Sequence, residues 1–125
     1  MSELTLEDTL VTGPQPETLR GKTVYVKRLN ALESLQLEHE QQELREAIET
    51  AKQAGGEAST QGIGLRFAAL LVKHHICNSQ GKLIYAGKTA EQLINMIDND
   101  WMEDLYQLVM KHRNSVSLED AEKNS

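Results

Sequence analysis

The segment GLRFAALLVKHHIC, residues 64–77, is apolar on most of its circumference when wound as a helix. A helix with no broad polar face has to be enclosed by other elements. It is therefore expected at the centre of the fold, with Ala68, Leu71, Val72 and His75 sharing a face, Leu65 beside it, and Phe67, Leu70 and His74 covering other sides. Composition decides what encloses it. Hydrophobic residues make up 39% of the chain but aromatic residues only 4%, so the core is built of Leu, Ile, Val, Ala and Met, which favours helix packing over a β-sandwich. At 125 residues the chain supports one domain with one modest core.

The flanking segments supply the partners. TVYVKRL, residues 23–29, alternates as a short half-buried strand with Val24, Val26 and Arg28 on one face. Asn30 with Glu33 forms a capping box that opens a long helix, stopped by Gly55-Gly56. Within it Leu37, Leu44, Ala47, Ile48 and Ala51 fall in one stripe, the expected core face, whereas Leu32 and Leu35 lie off it. Two readings of these leucines stay open: the strand or the acidic arm folds back over them as a staple, or they form an exposed partner-binding patch. GGEASTQG reads as a loop, NSQG as a turn using Gly81, and KLIY as a second strand able to pair with TVYVKRL. Thr89 with Gln92 and Asp100 with Glu103 are two further helix starts, separated by a break at Asp98-Asn99-Asp100.

Residues 1–20 carry Glu3, Glu7, Asp8 and Glu17 against Arg20, with Gly13, Pro14 and Pro16 interrupting any helix, and read as a flexible acidic arm. Residues 115–125 lack an apolar face and read as a disordered tail. The expected architecture is thus mainly α, a compact bundle of about four helices with a small two-stranded antiparallel β element, occupying residues 21–114.

Several function classes are disfavoured. A net charge of −6 opposes nucleic-acid binding, which rests on clustered Lys and Arg. The opening MSELTLEDTL has no apolar run, so neither a signal peptide nor a membrane span is expected there. The single cysteine, Cys77, makes no intramolecular disulfide and suits a cytoplasmic setting. Gly87-Lys88-Thr89 resembles the end of a phosphate-binding loop, but the earlier glycine that such a loop needs is Lys82, and Gly81 is one residue too far; Gly21-Lys22-Thr23 precedes a strand. His74, His75 and Cys77 cannot readily share a metal ion, because neighbours on a helix diverge by about 100°. A buried cysteine and helix-end histidines placed favourably against the C-terminal dipole are expected instead. Nor can an oxyanion device or an orienting acid be singled out for Cys77 as a nucleophile. No catalytic, cofactor or metal residues are expected, and the chain reads as a binding protein.

The order VYVKRLNALE, a long polar helix, an apolar helix ending in HHICNSQGKLIY, and two capped helices ending in LVMKHRN resembles the tail assembly chaperones of long-tailed, siphovirus-type bacteriophages. The likeness covers residues 23–114. Cys77, Gly81, Leu83, Ile84 and Tyr85 match the family's turn, whereas Asn78 stands where an Asp is commoner. The resemblance implies a non-enzymatic protein of the infected host's cytoplasm, absent from the mature virion. Such a protein binds the tape-measure protein, recruits tail-tube subunits and self-associates, with no cofactor, nucleic acid or membrane. It also implies a longer product made by ribosomal frameshifting, for which Glu122-Lys123-Asn124 offers a slippage site. Leu32 and Leu35 are the candidate partner-binding residues. Two other readings are a head-tail or tail-completion protein retained in the virion and a helical bacterial protein-binding regulator.

Overall fold

The computed structural model describes residues 3–55 and 62–123. In chain order its elements are α1 (Leu6–Thr9), β1 (Gln15–Leu19), β2 (Lys22–Val26), α2 (Ala31–Gln53), α3 (Ile63–His75), β3 (Ile76–Cys77), α4 (Ala90–Met96) and α5 (Asn99–Lys123). The apolar segment is the central helix. α3 packs against α5, α4 and α2, and buries Ala69, Leu70, Val72 and His75. The main core joins Val26 of β2, Ala69 and Val72 of α3, and Ile76 of β3 to Leu93 of α4 and to Met102, Leu105, Leu108 and Val109 of α5. Leu93 and Val109 are fully sequestered, each burial contributing about 2 kcal/mol. The fold is mainly helical with a small antiparallel sheet, as the sequence predicts.

The sheet has three strands in the order β1-β2-β3, and this corrects two expectations. β1 lies inside the stretch read as a flexible arm, so residues 15–20 belong to the folded domain. Pro16 does not prevent this, because β1 is an edge strand, where a missing N–H is tolerated. The two-residue turn between β1 and β2 places both Arg20 (φ 52°) and Gly21 (φ 77°) in the left-handed region, the combination that matches the natural twist of a hairpin. Arginine is uncommon there. Its side chain is held on α5, with Nε donating to Asp104 Oδ2 at 2.7 Å and the guanidinium 5.4 Å from the centre of the Trp101 ring. A second tie joins the hairpin to α5, His112 Nε2 donating to Glu17 Oε1 at 2.8 Å.

The second correction concerns the partner of β2. It pairs with Ile76–Cys77, not with KLIY. The Asn78 side chain accepts from the amides of Gln80 and Lys82, curling residues 78–82 into a tight loop in which Gly81 takes φ 81°. The chain returns with a single bridge, Cys77 to Leu83, before turning again at residues 84–87. β2 also stops at Val26, leaving Arg28 exposed.

Helix boundaries follow side-chain caps. Asn30 accepts from the Glu33 amide at 2.8 Å while the Glu33 carboxylate accepts from the Asn30 amide at 3.1 Å, and Thr89 with Gln92 repeats the arrangement. The start of α5 differs from expectation. Asp98, not Asp100, caps it, accepting from the amides of Asp100 and Trp101. The backbone of α5 stays helical to Lys123, through much of the stretch read as a disordered tail; extending a helix already anchored by a buried face costs little. The loop expected across residues 56–61 and Asn124 of the slippage site lie outside the described residues.

Candidate functional site

His74, His75 and Cys77 point in three directions. His74 pairs with Glu40 of α2, which also accepts from Lys73 Nζ at 2.7 Å. His75 is 3% exposed, donates from Nδ1 to the Leu71 carbonyl at 2.7 Å, and accepts at Nε2 from Arg113 Nη1 at 3.1 Å. Those roles define a neutral imidazole. Burial pushes its pKa down to about 4, helped by the Arg113 charge, so at neutral pH it brings no positive charge to the end of α3, contrary to the dipole argument. The Cys77 thiol donates to the Tyr25 carbonyl at 3.6 Å, and burial raises its pKa; it is the opposite of an activated thiolate. Gly87 supplies a positive-φ turn and Thr89 a helix cap.

The side chains available to a partner lie mainly on α2. This helix runs for 23 residues and buries only Leu37 among its side chains. It is fastened at two places. Near its start Lys27 pairs with Glu33: burial alone would raise the Glu33 pKa, but Lys27 and the Asn30 amide outweigh it and hold it below its ordinary value. Mid-helix, Glu40 behaves in the same way between Lys73 and His74. Both anchors face the body of the protein. Six glutamates of α2 stand against Arg45 and Lys52, which makes this helix the main seat of the chain's negative charge.

Leu32 and Leu35, the predicted partner residues, are 63% and 60% exposed. Neither the strand nor the arm covers them, so no staple forms. Leu35 edges a shallow hollow shared with Gln36, His39, Glu40 and His74. A second apolar surface escaped the sequence reading. Of the stripe expected in the core only Leu37 is buried; Leu44, Ala47, Ile48 and Ala51 instead wall an open groove of about 450 Å³, with Leu70 of α3 and Ala90 of α4 opposite. Along the far half of α2, Leu44, Ile48 and Ala51 are only half-buried and Ala47 remains exposed. The two alanines in the stripe were the available signal, since they bury little surface. Four more exposed apolar residues, Leu4, Leu6, Leu10 and Val11, lie in the segment before β1.

Among the described residues no set of three or more His, Cys, Asp or Glu side chains is arranged to hold a metal ion, and no helix is long and apolar enough to cross a membrane. No family model, curated protein or solved structure matches the chain.

Proposed function

We propose that this chain is a non-enzymatic bacteriophage tail assembly chaperone. In this reading it works in the host cytoplasm, binds the tape-measure protein, recruits tail-tube subunits around it, and is left out of the finished virion. The observation that carries the proposal is α2, a 23-residue helix that buries one side chain and offers Leu32, Leu35 and an apolar groove to solvent.

A tape-measure protein is a long helical chain with repeated apolar stripes, and a groove beside an amphipathic helix masks such a stripe by a helix-in-groove contact. The acidic surface of α2 keeps the complex soluble. Many weakly bound copies along one client hold it by avidity, strengthened where neighbouring copies touch. The sequence resemblance over residues 23–114 supports the same reading.

Co-expression with a tape-measure protein tests it. The client should move from the insoluble to the soluble fraction and co-purify with several copies of this chain. Client solubility that is indifferent to the chain, or recovery of the chain as a stoichiometric component of purified virions, would defeat the proposal.

A further inference from the structure

We infer that the groove bounded by α2, α3 and the start of α4 is built for a basic amphipathic helix, and that this groove, more than the Leu32–Leu35 patch, selects the client. The inference rests on the client-binding reading above and names the chemistry of the partner.

Shape supports a helix. The α2 wall runs from Glu40 to Ala51, about 16 Å or three helical turns at 1.5 Å per residue, and its apolar stretch, Leu44 to Ala51, takes up about two of them. Small side chains stand on both sides, Ala47 and Ala51 on α2 and Ala90 on α4. An incoming backbone can therefore approach closely while its larger apolar side chains reach Leu44, Ile48 and Leu70. The first and last residues of that stretch are seven apart, which matches anchors at i, i+3 or i+4, and i+7.

Charge selects which helix. The groove's two cations are already engaged: Lys73 by Glu40 at 2.7 Å, and Arg66 by both carboxylate oxygens of Glu91, at 2.9 and 3.3 Å. Glu43 on the α2 rim, which contacts His39 Nε2 at 2.7 Å, and Glu91 on the α4 rim have side chains 64% and 61% exposed, open to an incoming ligand. The lining thus sets three carboxylates, Glu40, Glu43 and Glu91, against two cations, an excess of negative charge that favours an apolar ridge flanked by Lys or Arg over an acidic one. The chain's own N-terminal segment, which has exposed leucines in need of cover, is a poor occupant for that reason. It carries Glu3, Glu7 and Asp8 and no cation before Arg20.

The test uses the full chain and labelled model helices of about fifteen residues, long enough to span the groove. One has a leucine stripe flanked by lysines, and the other has the same stripe flanked by glutamates. Fluorescence anisotropy should show binding of the basic peptide and at least about tenfold weaker binding of the acidic one, in line with rejection by like charges. Ala47→Phe fills the groove from a solvent-facing position, where it meets no core neighbour, and should weaken the basic peptide by about tenfold with unchanged circular dichroism. Ile84→Ser, at an exposed position outside the groove, should leave peptide affinity unchanged.

Equal binding of both peptides, or full affinity in Ala47→Phe, overturns the inference. So does a gain of affinity in a variant with Leu4, Leu6 and Leu10 changed to Ser, since that would make the N-terminal segment the groove's occupant. Should the peptide bind in the groove while a co-expressed tape-measure protein stays insoluble, the groove assignment stands and the chaperone reading falls. Client rescue lost with Leu32 and Leu35 both changed to Ser but kept in Ala47→Phe retains the chaperone reading and removes the groove.

Discussion

Lowering the pH should destabilise this domain through His75. Its ring is 3% exposed and is held neutral between the Leu71 carbonyl and the Arg113 guanidinium. Its pKa is about 4 in the folded protein against an ordinary 6.5. Between those values the unfolded chain binds more protons than the folded one, so stability falls as pH falls. The contribution is complete above pH 6.5 and is lost progressively toward pH 4. At 1.36 kcal/mol per pKa unit, the loss is roughly 1 kcal/mol at pH 5.5 and 2 to 3 kcal/mol at pH 4.5. Glu33 and Glu40, whose pKa values lie below the ordinary 4.5, add their own loss only at still lower pH. Urea unfolding followed by circular dichroism at a series of pH values measures the slope. His75→Asn keeps an N–H for the Leu71 carbonyl but cannot titrate, so its slope from pH 6.5 to 4.5 should be much flatter, whatever its absolute stability. A flat profile in the wild type, or the same slope in the variant, would refute the neutral, buried assignment.

Replacing both Leu32 and Leu35 with Ser should change stability by less than about 0.5 kcal/mol, as for surface positions, while lowering client solubilisation; collapse of the melting temperature would place these leucines in the core after all. Leu93→Ala, which empties a fully buried site in α4, should cost about 3 kcal/mol in chemical denaturation, and a loss below about 1 kcal/mol would contradict the core described above. Purified protein should contain no stoichiometric zinc, and native Cys77 should alkylate slowly because its thiol is buried with a raised pKa. One tightly held zinc per chain that disappears with Cys77→Ala would reverse that reading.

What the sequence made legible was local and periodic. The Asn30 and Thr89 capping boxes were visible because both residues of each box are specified by spacing alone. The central helix was visible because its apolar residues leave no solvent face. The divergence of His74 and His75 followed from helical geometry, whereas Cys77, expected on the same helix, lies on β3 because the helix ends at His75. Features set by tertiary context were harder to read. Residues 15–19 became a strand because β2 was there to pair with them, and a prolyl edge strand carries little local signal; the Arg20-Gly21 turn between alternating runs was the clue. KLIY had strand composition, but Ile76 and Cys77 took the place beside β2. The same limit hid the groove. Periodicity located the stripe of α2, yet whether Leu44 and Ile48 meet a neighbour or solvent depends on how far α3 and α4 reach along them.

Hydrogen exchange on the complex with a tape-measure protein tests the central claim, that α2 is the client-binding element, most directly. Added client should protect amides across residues 31–53, with further protection at residues 66–73 of α3 and the first turn of α4, while the β1–β2 hairpin remains unchanged. Protection confined to the hairpin or to α5, with α2 exchanging as in the free protein, would contradict it.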